Sequence, residues 1–395
     1  MTHYYEWLNL MIRWIHIIVG VAWIGASFYF VWLENNLERK KDDLPDDIEG
    51  DLWAIHGGGI YYLQRYKLAP EKIPEHLHWF KWEAYWTWIT GFSLLIVVYY
   101  LNASAFMIDK AVSDISSATA IGIGLGALFL SWTVYDLLCR TEILKKPKLM
   151  LAIMFGFMTL MAFVLFQFLA PRAAYIHIGA MIGTMMAGNV LMVIIPNQRR
   201  LVDAANAGKE PDLWKTKQAS MRSRHNNYFT LPVLFIMLSN HFPSTYGNAY
   251  GWVVLALMSA LAIAVRHHFN VRHNSKSWAW TMPAMFIGLS ILAWYTSPSH
   301  SKKVGIDSST VGVVKMSEVK AIIASRCVTC HSKTPSDDIF LVAPNGIMFD
   351  TDAEMKKHAR RIKIRAYDLR SMPFSNKTNM TDLERAKVGA WVDSL

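Results

Sequence analysis

Cys327-Val328-Thr329-Cys330-His331 puts two thiols three residues apart, with an imidazole directly after the second. That spacing sets the thiols on adjacent turns, where they can add to the two vinyl groups of a haem and leave His331 under the iron. A redox dithiol or half of a zinc site uses similar spacing, but Cys139 is the only further cysteine, so no four-thiolate site can be built within the chain. A methionine on the far face supplies the usual sixth ligand and raises the reduction potential. Met372 is the first choice: it lies 41 residues after His331, is followed by the stiff Pro373 and precedes the last helical stretch. Met348, Met355 and Met380 are alternatives. A covalent haem c would also complete the core of so small a domain, with His331 and Met372 as the iron ligands.

The other titratable residues of interest sit in apolar surroundings. A charged side chain at bilayer depth is costly, which makes Arg13, His16, Asp136 and His177 functional candidates. Gly20 lies one turn after His16, and Gly179, Gly183 and Gly188 lighten the helix of His177. These glycines leave room either for close helix approach or for a flat cofactor, so a second, b-type haem held by His16 and His177 stays open beside simple interhelical hydrogen bonding. Arg13 either snorkels to the headgroups or acts beside His16. Asp136 is expected to pair with Arg140 one turn on. With His241, the residues Arg13, His16 and His177 form an outer group. An inner group consists of His56, ahead of three glycines whose amides can approach an anion, together with Arg224, His225, Asn226 and Asn227. The latter stretch reads equally as a basic membrane anchor.

The elements that must position these residues follow from composition. Of 395 residues, 53% are hydrophobic and 16 are Trp, with a mean hydropathy of +0.20, which excludes an ordinary soluble protein and points to a lipid bilayer. The net charge of +10 then reads as an orientation signal, with no nucleic-acid partner. Eight apolar runs have a length suited to ~30 Å of hydrocarbon: 7–33, 80–101, 118–138, 149–169, 173–195, 228–241, 250–265 and 277–295. Four connections between them (34–83, 139–148, 196–227 and 266–276) hold twenty-one Lys and Arg, whereas the alternate connections hold two, Lys110 and Arg172. By the positive-inside rule both termini face the periplasm or its equivalent, where haem is attached to c-type cytochromes. The start, Met1-Thr2-His3-Tyr4-Tyr5-Glu6, lacks a basic leader region, so the first run is expected to remain in the bilayer. The organisation expected is a membrane domain over 1–298, a polar linker over 299–315 and a cytochrome c domain over 316–395, with helices near 316–325 and 381–395. The fold class is all-α: a polytopic transmembrane bundle of about eight helices, followed by a small class I-like cytochrome c domain.

Longer stretches carry a resemblance. They are Arg13-Trp14-Ile15-His16, Trp23-Ile24-Gly25-Ala26-Ser27-Phe28-Tyr29, Trp53-Ala54-Ile55-His56-Gly57-Gly58-Gly59, Pro74-Glu75-His76-Leu77-His78-Trp79-Phe80-Lys81-Trp82-Glu83, Ile176-His177-Ile178-Gly179-Ala180 and Ile194-Ile195-Pro196-Asn197-Gln198-Arg199. Further on come His225-Asn226-Asn227-Tyr228-Phe229-Thr230-Leu231-Pro232, Ser239-Asn240-His241 and Met372-Pro373-Phe374 with Asn376-Lys377-Thr378. Together they resemble the bacterial membrane-bound urate oxidases that end in a cytochrome c domain. The resemblance implies oxidation of urate to 5-hydroxyisourate in purine catabolism. Electrons would pass through haem c to a respiratory cytochrome or terminal oxidase, in a multi-pass protein of the bacterial inner membrane. Ser375 and Asn379 depart from it, since glycines are expected around the methionine loop. The resemblance brings no catalytic set. Because ~30 Å of hydrocarbon is too far for one electron hop, the outer group is favoured, with Arg13 as anion partner and His16 or His177 as proton acceptor or haem ligand. The alternative function is a quinol-oxidising membrane cytochrome that serves a soluble or oxidase acceptor; a haem-bearing redox sensor is a third.

Overall fold

The computed structural model describes residues 3–39, 44–70, 72–248, 250–273, 275–297 and 305–395. The first part of the expected linker, 299–304, lies outside the described residues. The N-terminal part runs α1 (His3–Asn36), β1 (Ile48–His56), β2 (Gly59–Tyr66), α2 (Trp82–Leu94), α3 (Ala103–Phe106), α4 (Ser117–Leu138), α5 (Pro147–Phe168), α6 (Pro171–Gly188), α7 (Ile195–Asn206), α8 (Leu213–Ser239), α9 (Pro243–Tyr246), α10 (Gly251–Val271) and α11 (Thr281–Tyr295). Helix starts follow local chemistry. The Ser116 hydroxyl accepts from the Thr119 amide to open α4, Asp212 accepts from Trp214 and Lys215 to open α8, and Pro147 and Pro171 occupy first-turn positions of α5 and α6, where no amide donor is needed.

Among the described residues, five helical segments are long and apolar enough to cross a membrane: α1, α4, α5, α10 and the continuous stretch Pro171–Asn206 that joins α6 to α7 through a π-helical turn. The three other expected spans fall on helices that depart from that pattern. α2 gives way to a π-helical turn over Leu95–Tyr100, α8 is polar in its first half, and α11 has 15 residues. The all-α expectation needs one correction. The connection after α1 is an antiparallel hairpin, with Trp53 opposite Tyr62 and Ile55 opposite Ile60. Gly57 and Gly58, both at positive φ, make its two-residue turn, so the glycine run read as an anion loop serves hairpin geometry.

α6 is the hub. It packs on α2, α4, α5 and α8, and buries Ala173, Ala174, Tyr175, His177, Ile178 and Met181. Its small residues permit that close approach: a Cβ on Gly188 would come within 2.4 Å of the Trp132 ring, and one on Gly179 within 2.7 Å of Ile236. α1 lies at the edge against α2 and buries no side chain, exposing Trp7, Trp14, Ile17, Ile18 and Val21 as a lipid-facing helix would.

The C-terminal part has its own core. α12 (Met316–Arg326), α13 (Asp352–Lys357), α14 (Ala359–Ile362) and α15 (Asp382–Asp393) gather Val319, Ile323, Met355, Ile362, Met380, Val388 and Trp391. Thr381 and Glu384 form a reciprocal capping box at the start of α15, and Glu384 also takes Arg326 of α12 at 2.9 Å. This unit rests on the end of the bundle that carries α3 and α9. Phe374 meets Phe106 edge-on at 4.8 Å, and a Cβ on Gly247 would lie 2.7 Å from the Leu369 carbonyl oxygen.

Candidate functional site

Cys327 closes α12, and His331 follows one turn later, its amide bonded to the Cys327 carbonyl at 2.8 Å. The two sulfurs are not joined in a disulfide. Burial pushes Cys327 up to about 12 and Cys330 up to about 11, the opposite of the lowered pKa that makes an exchange-active dithiol. The His331 Nδ1 donates to the Ile347 carbonyl at 2.9 Å, and burial holds the imidazole below its ordinary pKa. It is therefore neutral near pH 7, with Nε2 left for a metal. Met372 is half-buried in the loop between α14 and α15. That loop is clamped by the buried Arg385, whose Nη1 donates to the Met372 carbonyl at 2.6 Å and whose Nη2 donates to Asn376 Oδ1 at 2.8 Å. Desolvation lowers Arg385 to about 10. Met355 and Met380 are 1% and 2% exposed within the core and so are poorly placed to reach an iron. Cys327, Cys330, His331 and Met372 thus fit a covalent haem, which they would attach and ligate.

In the bundle, the four residues of the outer group are not joined to one another by any hydrogen bond or ring contact among the described residues. Arg13 is exposed and donates to Asn9 Oδ1 at 3.2 Å, and His241 is exposed. His16 bonds Thr90 Oγ1 at 3.0 Å and lies over Gly91, where a Cβ would come within 2.9 Å of the ring. His177 is fully buried. Its Nδ1 donates to the Ala173 carbonyl at 2.8 Å, and its Nε2 is 3.3 Å from the Tyr100 hydroxyl, above Gly124. Both nitrogens of His177 are thus engaged by the bundle's own groups, and no contact joins it to His16 among the described residues.

At the hairpin end, the inner residues divide. His56 and Arg224 are exposed, whereas Asn226 and Asn227 are buried. The buried ones belong to a polar network that spacing could not reveal. Arg222, 1% exposed, pairs with Asp136 at 2.7 Å and donates to Asn189 Oδ1 at 3.0 Å; Asn189 donates to the Tyr135 hydroxyl and to Asn226 Oδ1, each at 2.8 Å, and Tyr135 bonds His225 at 2.9 Å. Asp136 also pairs with Arg140 at 2.7 Å, the expected helical partner. Nearby, Arg266 stacks over Phe28 at 3.9 Å and donates to Asn227 Oδ1 at 2.9 Å.

A family model described as urate oxidase N-terminal matches residues 2–297. The chain belongs to the urate oxidase N-terminal family. No curated protein and no solved structure matches it. The urate oxidase family region therefore covers every helix of the bundle, and the stretch Cys327–His331 lies beyond it.

Within that family region, sequence reasoning passed over Asn189, Tyr135, Arg172 and Arg266. Arg172 and Arg266 sit at the ends of apolar runs, where an arginine reads as a headgroup anchor. Their signal was the missing counter-charge. Neither has a carboxylate within ion-pair distance among the described residues, and a cation turned inward without one needs another partner.

Proposed function

We propose that this chain oxidises urate to 5-hydroxyisourate and delivers the electrons to a haem c held by Cys327, Cys330, His331 and Met372. Urate plus one water yields 5-hydroxyisourate, two protons and two electrons. When bound, the haem supplies one-electron acceptance, so each turnover sends two electrons in succession to a respiratory cytochrome or terminal oxidase. The chain's own part is positional: the Ile347 carbonyl orients His331, and Arg385 holds the Met372 loop. The observation that carries the reading is the joining of a urate oxidase family region to a haem-attachment unit whose methionine loop packs on that region through Phe374 and Phe106. The apolar helices and the asymmetry of Lys and Arg support a bacterial inner-membrane protein with the C-terminal unit in the periplasm.

The test is anaerobic addition of urate to the oxidised, haem-loaded protein. Reduction of haem c with release of 5-hydroxyisourate is expected, at two electrons per urate. Reduction by a quinol with none by urate would overturn the proposal in favour of a quinol-oxidising cytochrome.

A further inference from the structure

We infer that urate binds in the seam between the C-terminal unit and the bundle, with Arg172 as its cation and Asn248 as a hydrogen-bond donor. This rests on the urate oxidase reading and gives it a location that the outer histidines alone do not supply.

The seam combines what a planar monoanion requires: a cation, amide donors and an aromatic face. Arg172, second residue of α6, is half-buried; its guanidinium lies 5.4 Å over the Phe374 ring and its Nε donates to Asn240 Oδ1 at 3.3 Å. The same Asn240 oxygen accepts from the Tyr99 hydroxyl at 3.3 Å. Three cations of the C-terminal unit are neutralised: Lys377 by Asp337 and Asp338, Arg370 by Asp382, and Arg326 by Glu384. Arg172 has no such carboxylate among the described residues.

The second observation is independent of charge. Asn248 is 8% exposed and adjoins Gly247, the residue in contact with Leu369. Its Oδ1 accepts from the Tyr250 amide at 2.8 Å, while its Nδ2 is buried with no partner among the described residues. A buried amide donor left unpaired loses its hydration without compensation, so a ligand acceptor there would recover that loss.

Two cavities elsewhere suit an anion poorly. One, lined by Ile73, Pro74, Glu75 and Trp79, offers a carboxylate and no cation, and the other, between Met154, Ile178, Phe229 and Leu255, is apolar. The seam also answers the problem of distance. Phe374 is two residues from Met372, so an electron leaving urate beside it has no bilayer to cross. His177 is connected to this point through Tyr99, whose ring lies 6.4 Å from the imidazole.

The test is equilibrium dialysis of urate against the full-length, haem-loaded protein, kept reduced with dithionite so that no turnover occurs. Arg172→Gln should raise the Kd about ten- to hundredfold, as loss of a charge-assisted contact does, with Arg172→Lys intermediate and Asn248→Ala weaker by about tenfold. Haem content and reduction potential should match wild type in each. Should Arg172→Gln fail to retain haem, Asn248→Ala decides by the same measure. Binding within about twofold of wild type in the variants, above all if Arg266→Gln abolishes it, would overturn the seam and move the site to the hairpin end. Wild-type protein that neither binds urate nor is reduced by it would instead sink the urate oxidase reading itself.

Discussion

Four methionines of the C-terminal unit compete for the second axial position, and packing sets two of them apart. Met355 and Met380 fill its core, whereas Met348 and Met372 are both half-buried, and of these Met372 sits on the loop that Arg385 clamps. Met372→Ala should therefore leave haem attached through the cysteines while lowering its reduction potential by on the order of 100 mV; an unchanged potential and visible spectrum would reassign the ligand. The loop departs from glycine where the chain most favours it. Ser375 and Asn379 have φ of 48° and 54°, in the left-handed region, which Asn tolerates better than Ser. A pH dependence belongs to the same neighbourhood. Burial alone would raise the Asp337 carboxyl, but hydrogen bonds from Lys377 and from the Phe340 and Ile339 amides outweigh it and hold the group below the usual carboxylate range. A depressed native pKa contributes stability above the unfolded value of about 4 that is lost as pH falls through the native one. Unfolding of the holo-protein's C-terminal unit, followed by near-ultraviolet circular dichroism, should thus be insensitive to pH from 7 to about 5 and ease below about 4.

Helices of the bundle meet through glycines whose partners are rigid. At Gly188 the opposing group is the Trp132 indole, which has no flexible end to yield. Gly188→Ala should destabilise the detergent-solubilised protein by about 1–3 kcal/mol, seen as a lower thermal midpoint, whereas Gly183→Ala, with nothing within 4 Å of its Cβ, should have little effect. Similar losses in both would mean that α6 is packed otherwise. The hairpin has a local signal in the sequence: paired glycines at 57 and 58 between runs of alternating residues, whose positive φ makes the two-residue turn.

For the whole molecule, the asymmetry of Lys and Arg proposes an orientation that labelling can test. Cysteine-accessibility labelling in intact cells should find residues 305–395 reactive from outside and positions in 44–70 and 196–212 protected until the cells are lysed. Labelling of the hairpin from outside would reverse the orientation and remove the periplasmic setting for haem attachment. The docking of the C-terminal unit through Phe106, Phe340 and Phe374 makes this more than a question of address, since it puts the methionine loop against the bundle end opposite the hairpin.

The α12 and α15 helices and five of the eight apolar runs were legible because each depends on neighbours a few residues apart: capping at Thr381 and Glu384, and hydropathy over a helix length. The polar contacts inside the bundle were not. Arg222 meets Asp136 from 86 residues away and Tyr135 meets His225 from 90, and which of several inward polar residues become partners is set by how α4, α6 and α8 rotate and cross. The seam lies further from the sequence still. Arg172 reads as an ordinary headgroup anchor until Phe374 is brought over it and Asn240 beneath it, because a cation's want of a counter-charge is a property of the space around it and not of its place along the chain.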